Sequence, residues 1–353
     1  MFVFLNRRGM AIGLGAVAIL VLLAWWVRLE RFERVVLSIV ADGTWGAAPG
    51  QLGLLKARDG GWAGPGGLAI LADGSICVAD TQNARVQCLR QGGWQVTWQG
   101  KAAEAPRLLA ARGEDELLGA TSDGVIYAYR DGERSSLVTL TPAALPGVPD
   151  VGRVERLLLE GMAPDAAGRP VVDVVVLGRL GSYRLVSTIE GGRPVRTWFS
   201  VYQPGQGESV RVPRDLGPGA VGSWTAGASD LYVETRSGEG FARTIFRLEN
   251  GRPVQSFTIN FSSPIRGFSL VGGWADGVYT LTWDQDHVYR VTKYTAQGRR
   301  LWEAVVARPG ELAWGATAEA GGGTIAVLAG NETGWQMLVL KSETKWHLHI
   351  RGR

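Results

Sequence analysis

Histidine and cysteine are scarce in this chain, with 3 of the first and 2 of the second among 353 residues. A zinc site needs three or four such ligands converging, and a Cys-His nucleophile needs both types held together. Neither chemistry has much to draw on here. No block of five or six Lys/Arg residues occurs, although Lys+Arg (37) exceed Asp+Glu (33) for a formal net charge of +4. Nucleic-acid binding requires a clustered basic footprint, so a nucleic-acid partner is not expected. Also missing are Gly-x-Ser-x-Gly and a phosphate loop. Stretches such as Gly321-Gly322-Gly323 have no following helix and read as turns.

What the chain has in quantity is glycine (50) and tryptophan (14), with 15 prolines and no collagen-like period. Many short apolar runs between glycine-rich turns indicate an all-β fold. Most of the tryptophans are expected to pack between layers.

One long apolar run stands apart. Gly9–Val27 is 19 residues without a charge, preceded by Arg7 and Arg8 and ending on Trp25-Trp26-Val27. A spanning helix needs about 20 such residues, and tryptophans favour the lipid–water boundary. The run is longer than a cleaved signal's apolar region and lacks an A-x-A site. It reads as an uncleaved signal anchor after a short tail, residues 1–8. Arginine counting sets Arg7 and Arg8 against Arg28, Arg31 and Arg34, and leans slightly towards a cytoplasmic domain. Long C-terminal domains are translocated largely regardless of such charges. The expected location is the cell membrane, with one pass and the C-terminal domain extracytoplasmic. Residues 28–61 read as a stalk or an extra outer strand.

Residues 62–353 repeat one unit, four short apolar strands joined by tight turns. The first reads Gly67–Leu71, Ser75–Asp80, Ala84–Arg90 and Trp94–Trp98, with Asp73-Gly74 and Gly92-Gly93 as hairpin signals. The pattern returns around Arg107–Leu140, Val154–Val201, Pro218–Ile259, Pro264–Val306 and Leu312–Ile350. Six units of about 47 residues match a propeller period, and runs such as Val171–Leu177 have the near-continuous apolar character of a sheet covered on both faces. The expectation is a β-propeller of six four-stranded blades. Five or seven blades, or two β domains split near Gly205, are the alternatives.

The first unit resembles an NHL repeat. Gly64-Pro65-Gly66-Gly67-Leu68-Ala69 matches its opening, Asp73–Thr81 (DGSICVADT) its core, and Asn83-Ala84-Arg85-Val86-Gln87 its hairpin. The fifth unit, His287–Val291 through Gly298–Trp302, is similar to a PQQ-like repeat. Both resemblances imply a β-propeller, and neither implies a quinone cofactor when one unit alone carries the second pattern.

The NHL-like hairpin can also be read from its residues. With Thr81–Ala84 as a four-residue loop, Asp80 lies opposite Arg85 and the two can pair across strands. Asn83 tolerates a left-handed turn position. In the same register Cys77 faces Cys88 at a non-hydrogen-bonded position, where about 4.5 Å separates the Cα atoms. An exported domain would oxidise them to a disulfide; the bland alternative is two small buried thiols.

The remaining candidates are weak. His347 and His349 share a strand face but lack a third ligand. Trp283-Asp284-Gln285-Asp286-His287 offers oxygens to calcium, yet lacks the further ligands of an EF-hand loop and reads as a solvated turn. Asn331-Glu332-Thr333 is a glycosylation sequon. No cofactor and no catalytic residues are assigned. The functional expectation is a membrane-tethered, non-enzymatic module binding a protein or small ligand. The alternatives are a propeller hydrolase or lyase with a central metal, for which Asp173 and Asp230 are candidate channel acids, and a scaffold subunit of an envelope complex. The cysteine pairing is tested by a thiol count on the denatured, unreduced full chain: alkylation is expected only after reductant, and two reactive thiols without it would refute the pairing.

Overall fold

The computed structural model describes residues 27–56, 61–142, 145, 154–204, 220–226, 230–237, 241–274, 277–319 and 323–350. β1 (Val27–Gly43) comes first, then a small hairpin of β2 (Leu55–Lys56) and β3 (Trp62–Ala63). Blade I follows as β4 (Gly67–Ile70), β5 (Ile76–Asp80), β6 (Arg85–Arg90) and β7 (Gly93–Gln99). Blade II holds β8 (Leu108–Arg112), β9 (Glu116–Ala120), β10 (Val125–Arg130) and β11 (Glu133–Thr139). Blade III holds β12 (Val154–Pro164), β13 (Pro170–Gly178), β14 (Gly181–Glu190) and β15 (Arg193–Pro204). Blade IV holds β16 (Ala220–Ala226), β17 (Leu231–Ser237), β18 (Ala242–Glu249) and β19 (Arg252–Asn260). Blade V holds β20 (Gly267–Trp274), β21 (Gly277–Trp283), β22 (Tyr289–Thr295) and β23 (Arg300–Ala307). The last three strands are β24 (Leu312–Ala318), β25 (Thr324–Gly330) and β26 (Trp335–Ile350).

Each blade is a four-stranded antiparallel meander, and the sixth is completed from the other end of the chain: its order is β1-β26-β25-β24. The structure is a six-bladed β-propeller. The stretch 28–61 therefore supplies the outer strand of blade VI, and the sixth unit has three strands of its own. Val27, read above as the end of the apolar run, is the first residue of β1 and pairs with Ile350. The rest of that run, and Gly205, lie outside the described residues. Among the described residues no helix is long and apolar enough to cross a membrane.

Local chemistry explains the meanders. The turns between third and fourth strands use Asp131-Gly132, Gly191-Gly192 and Asn250-Gly251, each pair with positive φ at both positions. That is the turn whose twist suits a two-residue hairpin, and Asn-Gly or Asp-Gly adopts it at least cost. The second strands are largely buried, β5 along its whole length and β13 over most of it, whereas fourth strands such as β19 alternate exposed and half-buried. Alternation sends Ile76 and Val78 of β5 towards blade VI and Cys77 and Ala79 towards blade II. Among the described residues the buried apolar side chains form six clusters, one at each blade interface.

Among the described residues the seam between blades VI and I is the richest in tryptophan. Trp335 is buried, packs edge-to-face on Trp94 at 5.5 Å between centroids, and donates from Nε1 to the Thr44 carbonyl at 3.2 Å. A Cβ on Gly43 would come within 2.8 Å of its ring, so glycine is required for β1 to close over it. Trp45 meets Trp314 edge-to-face at 5.7 Å in the same cluster. Trp335→Ala is expected to cost about 3–5 kcal/mol, read as a lowered urea midpoint at unchanged slope.

Candidate functional site

The NHL-like hairpin proves to be a docking hub for the chain that links β1 to blade I. Asp80 and Arg85 are fully buried and pair at 2.8 Å, opposite each other in the register. Arg85 also donates to the carbonyls of Ala47 (2.7 Å), Ala48 (3.0 Å) and Gln51 (2.7 Å). Asp80 Oδ1 accepts from the Gly53 amide at 2.8 Å, and its Oδ2 accepts from Asn83 Nδ2 at 2.8 Å. Asn83 Nδ2 donates in addition to the Gly46 carbonyl at 2.8 Å. Gln87, also buried, donates to the Gln51 carbonyl and accepts from the Gly50 amide. Ala84, not Asn83, takes the left-handed position with φ 50°. The hairpin is thus structural: Asp80, Asn83, Arg85 and Gln87 are spent on one another and on the crossing segment 46–53.

Cys77 and Cys88 form a disulfide with Cα atoms 4.0 Å apart. Both sulfurs sit at the interface of blades I and II, fully buried.

Sequence reasoning missed that blade V repeats the ion-paired turn. Asp284, placed above in a candidate calcium turn, accepts from Arg290 Nη1 at 2.6 Å and from the Asp286 and Val288 amides at 3.0 Å each. His287 holds the left-handed position there, φ 55°, as Ala84 does in blade I. The signal was present as an acid followed by arginine across a turn, obscured by one extra residue. In the backbone register of β26 against β1, His347 stands opposite Glu30 and His349 opposite Arg28. Among the described residues no three metal-ligating side chains converge. Asn331 Oδ1 accepts from the Thr333 hydroxyl and amide, making the sequon a tight exposed turn.

The six innermost strands, β4, β8, β12, β16, β20 and β24, surround a central cavity of about 1040 Å³. Their pairing with the second strands is interrupted by bulges between Leu159 and Gly161, Val221 and Trp224, Leu270 and Gly272, and Ala313 and Gly315. A bulge re-aims the extra residue; here Glu160 is turned out into the cavity. The bulge at Ser223 is pinned from behind. Its amide donates to Glu234 Oε2 at 2.8 Å, and its hydroxyl accepts from the Leu270 amide of the next blade at 3.0 Å.

Charged groups of the wall fall into two sets. Asp173 is buried, accepts from Arg184 Nε at 3.0 Å and from Trp224 Nε1 at 2.7 Å, and so ties blade III to blade IV. Glu116 pairs with Arg112 at 3.3 Å, Asp115 with Arg130 at 3.4 Å and Asp165 with Arg169 at 2.8 Å. Glu114, Glu160 and Glu319 also line the cavity and form no ion pair with the described residues. Asp230 lies off the cavity, paired with Arg247 at 2.8 Å. The two acids suggested from sequence as channel groups are therefore both held by arginines, and the unpaired carboxylates are glutamates that single-sequence reasoning had no means to align.

Residues 63–89 match the NHL repeat family. The chain is a β-propeller carrying one NHL repeat. No curated protein matches it. Among solved structures it is similar to a putative gluconolactonase (12% identity over 88% of this chain and 93% of that one, TM-score 0.44). Virginiamycin B lyase from Staphylococcus aureus gives 12% identity, 87% and 99% coverage, and a TM-score of 0.48. A chain of a mitotic checkpoint complex gives 10% identity, 86% and 92% coverage, and 0.47.

Two outcomes are expected. Arg85→Ala leaves Asp80 buried without its cation and should cost about 3–5 kcal/mol, with faster proteolysis in segment 46–53. Burial raises the Glu234 pKa, partly offset by the Ser223 amide and by Arg236 and Arg243. A carboxyl whose pKa is higher in the folded state contributes stability below its unfolded value and loses it as pH rises through the folded one. The stability of Glu234→Gln minus that of the parent should therefore rise with pH above about 4.3; a flat difference would mean that Glu234 is not shifted.

Proposed function

We propose that this chain is a non-enzymatic binding module that takes a small cationic organic ligand in its central cavity. One observation carries this: among the described residues Glu114, Glu160 and Glu319 line the cavity and form no ion pair, although Glu160 lies within the electrostatic reach of Arg184, while the other acids of the wall are ion-paired. The protein as a whole is net positive, so this negative patch is local, and a concave wall of low dielectric strengthens its field. The volume suits a small-molecule site.

The module is tethered to a membrane by the apolar run Gly9–Val27 and faces away from the cytoplasm. Support for this comes from the length of the run and from the disulfide, which persists in oxidising compartments. β1 begins at the last residue of the run, Val27, and forms the outer edge of blade VI, so the tether would leave from the circumference of the ring, not from the cavity mouth.

Isothermal titration of the full chain in detergent micelles with spermidine as the probe cation tests the site. Binding is expected to weaken with added salt, and Glu160→Gln and Glu319→Gln should each weaken it by about three- to ten-fold. Heat of binding that neither substitution alters, or none at all, would remove the cavity from consideration as a cation site.

A further inference from the structure

The two faces of blade V differ in kind. Alternation sends Tyr279, Leu281 and Val291 towards blade VI, into an apolar cluster. Towards blade IV the same strands present Thr280 and Thr282 of β21, with Thr292 and Arg290 opposite them on β22. Glu303 of β23 stands opposite Thr292. Part of this seam is packed, where Val278 and Tyr294 meet Tyr232 and Ile245 of blade IV. The rest is a groove of about 580 Å³. A face enclosed between blades is ordinarily apolar, because a polar group taken from water without a hydrogen-bond partner costs free energy. Thr282 lines the groove at 6% exposure, and its hydroxyl has no hydrogen-bond partner among the described residues. Asn260, Ser262 and Ser263 line it from the end of blade IV, exposed, with side chains that form no hydrogen bond to the described residues.

We propose that this groove binds a neutral saccharide, at a site separate from the central cavity. Its charges cancel, with Asp284 and Glu303 set against Arg290 and Arg300, so an ion would gain little there. What the groove offers is unspent hydrogen-bonding capacity of both kinds. A hydroxyl donates and accepts, and a side-chain amide does each through a separate atom. Thr282, Ser262, Ser263 and Asn260 therefore match a ligand that is itself covered in hydroxyls. Glu303 adds an acceptor. It lies 3.5 Å from Arg300 and 3.9 Å from Arg290, beyond the about 3.2 Å of a good N–H···O bond, and Thr292 donates to it at 3.3 Å. An ionised carboxylate has about four lone-pair sites, which leaves Glu303 able to accept from adjacent hydroxyls of a sugar ring. Half-buried Phe261 and Ile265 supply apolar surface in the same groove, against which the C–H face of such a ring can lie. The volume is that of a small-molecule site.

The test applies the full chain, in a detergent whose headgroup carries no sugar, to an array of immobilised neutral and anionic oligosaccharides. Retention of at least one neutral oligosaccharide, unaffected by added salt, is expected. Thr282→Val should weaken that binding about three- to ten-fold, the effect of one lost hydrogen bond, without lowering the melting temperature, because the hydroxyl it removes has no partner within the protein. Ser263→Trp, at an exposed position, should block the groove and abolish retention. Both variants should bind spermidine as the parent does, which separates this groove from the central cavity. The proposal is overturned if no neutral oligosaccharide is retained, if only anionic ones are and salt releases them, or if neither substitution alters retention. It is overturned equally if Thr282→Val melts lower than the parent, or if the two variants lose spermidine binding along with the saccharide.

Discussion

A ring of blades has no intrinsic end, and what closes this one is the pairing of the two ends of the chain in a single sheet. β1 pairs with β26 from Val27–Ile350 to Gly43–Trp335. The other five blades are local meanders that could form in sequence, each with contacts a few tens of residues apart. Blade VI cannot, because its outer strand lies some 300 residues from its neighbour. Loop closure over that distance costs entropy, and the return comes from a long ladder together with the tryptophan seam over Gly43.

The segment from β1 to blade I is secured by buried charge. Asp80 and Arg85 would be costly inside the protein if either were left without partners, and between them they satisfy backbone groups of segment 46–53 that have no strand to pair with. The same device recurs. Asp173, Arg184 and Trp224 bridge blades III and IV, Asp284 and Arg290 shape a turn of blade V, and Lys293 of blade V reaches Glu33 of β1 at 2.8 Å. Apolar packing holds the blades together; these ion pairs specify where each strand end and crossing segment must sit, which packing between flat apolar faces would leave loosely determined.

The central cavity depends on both. Bulges interrupt four of the six innermost strands; the one in β12 turns Glu160 into the cavity, and the one at Ser223 is held from the second strand and from the next blade. The electrostatic character of the wall follows from which acids the arginines reach and which they do not.

Local rules were enough for much of this in the amino-acid sequence. Tight turns at Asp73-Gly74 and Gly92-Gly93, near-continuous apolar strands and a period near 47 residues point to six blades, because hairpins are set by neighbours in the chain. The Cys77–Cys88 pairing and the Asp80–Arg85 pair were legible for the same reason: one short loop fixes the register of one hairpin. The membership of β1 in blade VI was not legible, since a strand carries no mark of which distant edge it will join. Nor was the cavity wall, because its residues come from six strands whose alignment depends on bulges, and a bulge of one residue reverses which side chains face inward. Sequence alone determined the blades and their turns; the tertiary structure decided how the ring closes and which carboxylates remain unpaired at its centre, because both depend on contacts between residues far apart in the chain.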